Sequence, residues 1–313
     1  MIYSPEPNKT LTQIITVLIQ NILPIFVVAG FGFALQRWQK LDKRVLARVV
    51  LNVFSPALVF SSLVSSRLPG DELLRLAGFA LLNMTAMGLV ALAAARLLRL
   101  SRSQTMAFLI VLMFVNGGNY GLTLNQLRYG SDGLARAVVY YTVSTLTVYT
   151  LGLFIASMGT LSWQDSLKRV AKFPAVYAAV AAVVVYSFDL TLPRPLLRSI
   201  EVAGAGAIPV MLVVLGMQLA DLRQMTDWRL ALPAVSLRLL VGPLVALGVA
   251  SLLGLQGLGR STSIIEASMP TAVLAIVLAT EFDLQPTAVT SIVVLSTLLS
   301  PFTVAGTITI LGL

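Results

Sequence analysis

A stretch of amide, glycine and hydroxyl residues lies inside an apolar segment near the middle of the chain. Residues 115–125 read Val-Asn-Gly-Gly-Asn-Tyr-Gly-Leu-Thr-Leu-Asn. Glycine is a poor helix former, and an amide in hydrocarbon needs a hydrogen-bond partner. The stretch therefore predicts a helix that is interrupted at membrane depth, with its freed backbone groups facing a polar cavity rather than lipid.

A second interruption is predicted in a later apolar segment, at Met269–Ala275, because Pro270 lacks an N–H group and clashes with the preceding turn. Each interruption exposes N–H groups at the start of one half-helix, where the helix dipole favours an anion. We therefore expect a binding site for a small anion where the two segments meet. The alternative is a pair of kinked helices packed closely through glycine.

The candidate binding residues are polar side chains and glycines in or near these interruptions. They are Asn116, Asn119, Gly118, Gly121, Thr123, Pro270, Thr271, Asn52, Tyr141 and Thr145. We expect Asn116 and Asn119 to orient the anion. Asn52 precedes Pro56 by one helical turn, so it either reaches the cavity or bonds a backbone group that Pro56 frees. The hydroxyl groups of Tyr141 and Thr145 either line the path or join neighbouring helices.

Two ionisable residues, Arg238 and Glu266, fall inside apolar segments, where charges are costly and usually paired or functional. Glu266 is a proton or cation site coupled to transport, a structural partner of Arg238, or a hydrated residue near the membrane surface. Arg238 either attracts a carboxylate or extends its charge towards the lipid headgroups. The sequence leaves these alternatives open.

The composition is that of a membrane protein, since 57% of the 313 residues are hydrophobic and only 11% are charged. The chain has no Cys and no His, so we expect no disulfide, no metal site and no cofactor. Enzyme motifs are also missing, and we expect no catalytic residue. The net charge of +9 reflects loop Lys and Arg residues; no basic cluster with interleaved aromatic residues predicts binding to nucleic acid.

Ten apolar segments are long enough to span a bilayer, since a core of about 30 Å needs roughly 20 residues. They lie near 13–36, 45–66, 73–98, 104–128, 133–158, 169–188, 196–219, 229–254, 261–280 and 287–311.

The first of these segments begins only after Lys9, so we expect no removable signal peptide. Twelve Lys and Arg residues lie on one side of this frame and eight on the other. We therefore expect an integral protein of a bacterial cytoplasmic membrane with both termini outside the cytoplasm.

The chain also shows a faint internal repeat with an offset of 153 residues, which places Pro56 on Pro209 and Gly117 on Pro270. The repeat divides the chain into 1–158 and 159–313, with five segments in each half. Because five is odd, the two halves must be inverted relative to each other. Inverted repeats with interrupted helices at the bilayer midplane are an architecture of secondary transporters.

Three pieces of this pattern resemble the auxin efflux carrier family: Asn116–Thr123, Met269–Ala275 with 279–282 following, and Asn52–Pro56. The resemblance covers the whole chain and implies an all-α fold like that of bile acid–sodium symporters. It implies a scaffold of helices one, two, six and seven (about 13–66 and 169–219), which forms homodimers. It also implies a moving transport domain (about 73–158 and 229–311) in which the fourth and ninth helices are broken and crossed.

The same resemblance implies elevator-type transport of small organic anions such as auxin-like or dicarboxylic acids. Two positions depart from it, because Thr123 and Ala275 stand where plant exporters have prolines. Among the family's site residues, only the crossover Asn116 carries over. Two competing interpretations are sodium-coupled uptake of a bile-acid-like or pantothenate-like acid, and a membrane receptor or scaffold that transports nothing.

Overall fold

The structure, a computed structural model, describes residues 7–66, 68–157, 174–220 and 228–313. Regular structure within these ranges is helical, apart from an isolated antiparallel bridge between Val115 and Thr271. The all-α prediction is confirmed. Residue 158 of the fifth predicted segment and residues 169–173 of the sixth lie outside the described ranges.

The described helices vary in length from a single turn to more than seven turns. They are α1 (Pro7–Val17), α2 (Leu23–Gln39), α3 (Lys43–Val49), α4 (Ser55–Ser66), α5 (Gly70–Leu97), α6 (Arg102–Met113), α7 (Leu122–Thr147), α8 (Leu153–Ala156), α9 (Pro174–Ser187), α10 (Arg194–Ala205), α11 (Ala207–Ala220), α12 (Trp228–Ser236), α13 (Gly242–Leu252), α14 (Gly257–Ala267), α15 (Leu274–Glu281) and α16 (Pro286–Leu311). Wider π-helical turns join or extend several of them. These turns cover Leu18–Ile22, Val50–Phe54, Gly117–Gly121, Val148–Gly152 and Leu237–Val241.

Seven helical segments among the described residues are long and apolar enough to cross a membrane. They are Leu11–Gln39, Lys43–Ser65, Gly70–Leu97, Gly117–Ala156, Arg194–Ala220, Trp228–Leu252 and Pro286–Leu311. The apolar helices α6 and α9 are shorter than a bilayer-spanning helix. The protein is therefore an integral membrane protein with several apolar spans, while the ten-segment count and the inverted repeat stay predictions.

The segment Gly117–Ala156 contains a sharp change of direction at Gly130, whose φ of 65° and ψ of −153° are not helical. A straight helix of that length would measure about 60 Å, roughly twice the thickness of the hydrocarbon core. A Cβ at Gly130 would meet open space, so the positive φ, rather than crowding, favours glycine there. The kink lies between the predicted fourth and fifth segments.

Two glycines bring α2 and α11 into backbone contact. A Cβ at Gly32 would overlap the carbonyl of Val213, and one at Gly216 would overlap the carbonyl of Ala29. Lipid tails are as apolar as leucine, so close packing through small residues is a main source of helix association in membranes. The two helices therefore pack backbone to backbone, and residues of both lie in the same buried apolar cluster as residues of the interrupted helices.

Candidate functional site

The chain leaves the helical conformation at two buried positions. The first lies between Met113, where α6 ends, and Gly117, where a π-helical turn leads into α7. The second lies between Ala267, where α14 ends, and Leu274, where α15 begins, and it contains the buried Pro270. Proline and paired glycines disfavour helix at these points, which explains why otherwise apolar segments open there.

The two non-helical segments bind each other through their main chains. The N–H of Asn116 donates to the carbonyl of Pro270 at 2.8 Å, and the N–H of Ala272 donates to the carbonyl of Phe114 at 3.0 Å. An unpaired backbone group in hydrocarbon costs several kcal/mol, so each segment supplies the partners that the other has lost. The interruptions are therefore one joined structure.

The side chain of Asn116 is buried, with 4% of its surface exposed, and its Nδ2 atom has no hydrogen-bond partner in the described structure. Its backbone carbonyl accepts from the N–H groups of Tyr120 and Gly121, at 3.3 and 3.2 Å. Such a buried amide donor is destabilising unless something accepts its hydrogen. The position is consistent with a residue that contacts a ligand at the start of the second half-helix.

Asn119 lies on the first turn after the interruption and is half-buried. Its backbone carbonyl accepts a hydrogen bond from the hydroxyl of Thr123 at 3.3 Å. Thr123 is buried, with 4% of its surface exposed. The first turn of a helix has N–H groups without intrahelical partners, so this turn presents donors next to the Asn116 amide.

Glu266 is the last residue but one of α14, and its side chain is fully buried. Its Oε1 accepts a hydrogen bond from Nδ2 of Asn125 at 3.1 Å, whereas its Oε2 has no partner. The described residues show no ion pair between Glu266 and Arg238, so the structural pairing considered from the sequence is not found. Burial also excludes the hydrated position near the membrane surface.

Three glycines of the π-helical turn make room for neighbouring side chains. A Cβ at Gly117 would lie 2.7 Å from Oε2 of Glu266, and a Cβ at Gly121 would overlap the same carboxyl group. A Cβ at Gly118 would lie 2.8 Å from the ring of Tyr141. These glycines therefore allow Glu266 and Tyr141 to pack directly on the helix backbone.

Arg238 is fully buried in the π-helical turn that precedes α13. Its Nη1 donates to the carbonyl of Leu112 at 2.7 Å, and its Nη2 donates to the carbonyl of Ala267. The guanidinium thus contacts the carboxyl ends of both α6 and α14. Of the two alternatives for Arg238, extension of the charge to the headgroups does not fit, because the side chain lies wholly inside the protein.

Thr271 is fully buried and connects the second interruption to two neighbouring helices. Its hydroxyl donates to the carbonyl of Val111 at 3.0 Å, and its N–H donates to the hydroxyl of Ser296 at 3.3 Å. Among the sequence-predicted residues, Asn116 and Pro270 are joined by a main-chain hydrogen bond, Thr271 pairs with Val115, and Gly118 and Gly121 lie in the adjoining turn.

Tyr141, Thr145 and Asn52 lie outside the non-helical segments, although the ring of Tyr141 packs on Gly118. The hydroxyl of Tyr141 is 3.0 Å from the hydroxyl of Ser55, so these groups join α7 to α4. Thr145 is half-buried one turn further along α7. Asn52 is exposed and donates to the carbonyl of Arg48 at 2.8 Å, one turn before it, which is not a backbone group that Pro56 frees.

Sequence reasoning assigned no role to Asn125, although it is the last residue of the stretch 115–125. It follows Gly121 by four residues and Gly117 by eight, which places the three on one helical face. That spacing was the available signal, because a face with two glycines and an amide can accept a polar group from a neighbouring helix. Among the described residues, no group of three acidic, Cys or His residues could hold a metal ion.

Comparison with known proteins places residues 17–308 within the family model described as membrane transport protein. An uncharacterized transporter of Methanothermobacter thermautotrophicus is 33% identical over 305 residues, which cover 96% of each chain. Another uncharacterized transporter, from Methanocaldococcus jannaschii, is 24% identical over 84% of this chain and 87% of its own.

A plant protein is similar over a shorter stretch. The "Probable auxin efflux carrier component 1d" of Oryza sativa subsp. japonica is 25% identical over 177 residues. These residues cover 56% of this chain and 30% of the rice protein. The similarity of the first two relatives therefore extends over most of both chains, whereas that of the rice carrier is partial.

Proposed function

The chain belongs to the membrane transport protein family, that of the auxin efflux carriers, and we propose that it moves a small organic carboxylate across the membrane by alternating access. The observation that carries the proposal is the buried amide of Asn116, whose Nδ2 has no partner, beside the first turn of a half-helix. A carboxylate accepts hydrogen bonds from such an amide and from helix N–H groups, and the helix dipole favours its charge.

The anion would bind where the two interruptions meet. Asn116 and Asn119 would orient the carboxylate, and N–H groups at the start of the Gly117–Gly121 turn would donate to it, since those of Tyr120 and Gly121 bond the carbonyl of Asn116. Gly118, Gly121, Thr123, Pro270 and Thr271 would shape the site rather than contribute charge. The name of the rice relative, a probable auxin efflux carrier, supports an organic acid as the class of substrate.

The proposed movement follows from a ten-helix inverted repeat, with halves 1–158 and 159–313. The fourth helix would consist of α6 and the segment up to Gly130, and the ninth of α14 and α15. A scaffold of the first, second, sixth and seventh helices would stay in place while the others carry the site across the bilayer. The contact of α2 with α11 through Gly32 and Gly216 supports a rigid scaffold, which would also hold a homodimer together.

The proposal also covers the driving force of transport and the orientation of the protein in the membrane. If Glu266 exchanges a proton during the cycle, transport is coupled to protons. If it does not, the membrane potential expels an anion with about 2.3 kcal/mol per charge per 100 mV. We place the protein in a cytoplasmic membrane with both termini outside, as the distribution of Lys and Arg suggests.

The test uses purified protein in liposomes, adsorbed on a solid-supported membrane, and a panel of aromatic acids, aliphatic monocarboxylates and dicarboxylates. At least one acid should produce a charge-moving current, and Asn116→Leu should reduce it at least tenfold. The main-chain bonds of Asn116 do not depend on its side chain, so the variant should fold. Asn21→Leu makes the same change outside the interruptions and should retain the current.

Two outcomes would contradict the proposal. A current of normal size in Asn116→Leu would place the anion elsewhere. Binding of an acid to wild-type protein without any current and without uptake of the acid into the liposomes would favour the receptor interpretation over the transporter.

A further inference from the structure

The last carbonyl groups of a helix have no partners within that helix and carry its negative dipole end. In α6 the carbonyl of Val111 accepts from Thr271, but the carbonyl of Leu112 accepts from Arg238. In α14 the carbonyl of Ala267 likewise accepts from Arg238. One guanidinium therefore satisfies an end carbonyl of both interrupted helices, although Leu112 and Ala267 belong to separate parts of the chain.

The neighbouring backbone is shaped to hold this guanidinium. A Cβ at Gly242, one turn after Arg238 and at the start of α13, would overlap Nη2 and lie 3.0 Å from Cζ. Gly248 in the same helix has nothing within 4 Å of a Cβ position. The glycine at 242 thus leaves the space in which the fully buried charge lies.

In secondary transporters with broken helices, the carbonyl groups at the carboxyl ends of half-helices coordinate a coupling cation such as Na⁺. Here the end carbonyls of Leu112 and Ala267 already have a cation. A guanidinium is planar, permanently charged and able to donate from two nitrogens in different directions, so it can hold two carbonyls that do not share a helix.

We propose that Arg238 is a positioning residue, a built-in cation that holds the carboxyl ends of α6 and α14 together in place of a dissociable metal ion. The half-helix ends then stay neutralised whether substrate is present or not. A consequence, which depends on the proposed transport function, is that transport requires no Na⁺ at these carbonyls. The holding role itself can be measured without transport.

The first test is chemical rescue of Arg238→Ala in detergent, followed by the thermal unfolding midpoint. The variant should unfold at a lower temperature than wild type. Guanidinium chloride at about 10 mM, far below denaturing concentrations, should raise the midpoint of the variant by roughly 2 °C, because the ion binds only the folded site. Wild type should not respond, and Leu239→Ala, a buried change in the same π-helical turn, should not be rescued.

Equal responses of Arg238→Ala and Leu239→Ala to guanidinium would overturn the proposal, because a merely structural loss predicts no selective rescue. If Arg238→Ala does not fold, a second pair of variants tests whether the position of the guanidinium stabilises the protein. Gly242→Ala should lower the midpoint by several degrees by displacing the guanidinium, whereas Gly248→Ala should leave it unchanged or raise it slightly. Equal midpoints of these two variants would contradict the proposal.

Transport measurements distinguish a failure of this inference from a failure of the proposed function. Wild-type currents should be the same in sodium and in choline buffer. A requirement for Na⁺ would overturn the consequence for coupling. Absence of all currents and of acid uptake into the liposomes, together with selective guanidinium rescue, would refute the transport function while leaving the role of Arg238 intact.

Discussion

The main-chain N–H of Asn116 donates to the carbonyl of Pro270 at 2.8 Å, which joins the interruption in one half of the chain to the interruption in the other. Proline supplies an acceptor here while its own ring prevents the helix from continuing. The site requires an interrupted helix whose freed backbone groups still have hydrogen-bond partners. This hydrogen bond supplies such a partner at the interruption. Changes that weaken the junction should lower stability even where they leave the apolar core intact.

Thr271→Val tests this junction. Valine has nearly the same shape as threonine, but it cannot donate to the carbonyl of Val111 at the end of α6. A buried acceptor without its donor costs about 1.5 kcal/mol, so the thermal unfolding midpoint in detergent should fall by about 3 °C. Thr280→Val removes an exposed hydroxyl that bonds only within α15 and should shift the midpoint by less than about 1 °C. Equal shifts of the two midpoints would mean that the hydrogen bond from Thr271 to Val111 contributes no more stability than an exposed hydrogen bond within one helix.

Gly121→Ala tests the contact between the π-helical turn and Glu266. The new Cβ would overlap the carboxyl group, and forced repacking in a buried site costs about 1–3 kcal/mol. Gly78→Ala places a Cβ in open space within α5 and should be neutral or slightly stabilising. The thermal midpoints of the two variants give the comparison.

A double variant identifies the cause of the Gly121→Ala effect. In a Glu266→Ala background the obstructing carboxyl group is absent, so Gly121→Ala should cost less than half of its effect in wild type. An unchanged cost would mean that the alanine disturbs the turn itself rather than the carboxyl group.

The positions of the interruptions were predictable because their causes are local. Gly117, Gly118 and Pro270 disfavour helix wherever they stand, so the chain itself indicates where the segments open. The partners of the two buried ionisable side chains were not predictable, because they depend on which helices pack together. Arg238 bonds Leu112 across 126 residues, and Glu266 bonds Asn125 across 141. No spacing along one helix encodes such contacts.

Asn125→Leu tests the bond that sequence reasoning missed. Nδ2 of Asn125 donates to Oε1 of Glu266 and also to the carbonyl of Gly121, so both acceptors lose a donor. A buried acceptor left without a donor costs about 1–3 kcal/mol, so the variant should lose about 2 kcal/mol of stability. In a Glu266→Leu background the same change should cost clearly less. Additive costs, measured from thermal midpoints, would show that the two side chains are not coupled.

Tyr141→Phe tests the contact between the proposed transport domain and the proposed scaffold. The hydroxyls of Tyr141 and Ser55 lie 3.0 Å apart and are buried, and they join α7 to α4. If α7 moves relative to α4 during transport, this hydrogen bond must break and re-form in every cycle. Phenylalanine keeps the ring that packs on Gly118 but loses the bond, which is worth about 1 kcal/mol.

The variant should therefore destabilise the described conformation relative to the opposite one by about that amount, a change of about fivefold in their ratio. The measurement is the apparent substrate affinity in liposomes, taken separately with substrate on each side of the membrane. The two affinities should change in opposite directions. Tyr186→Phe, which removes a half-buried hydroxyl on α9, should change neither. A Tyr141→Phe protein that loses stability but keeps both affinities would indicate that α7 and α4 move together, and the domain boundary would then have to lie elsewhere.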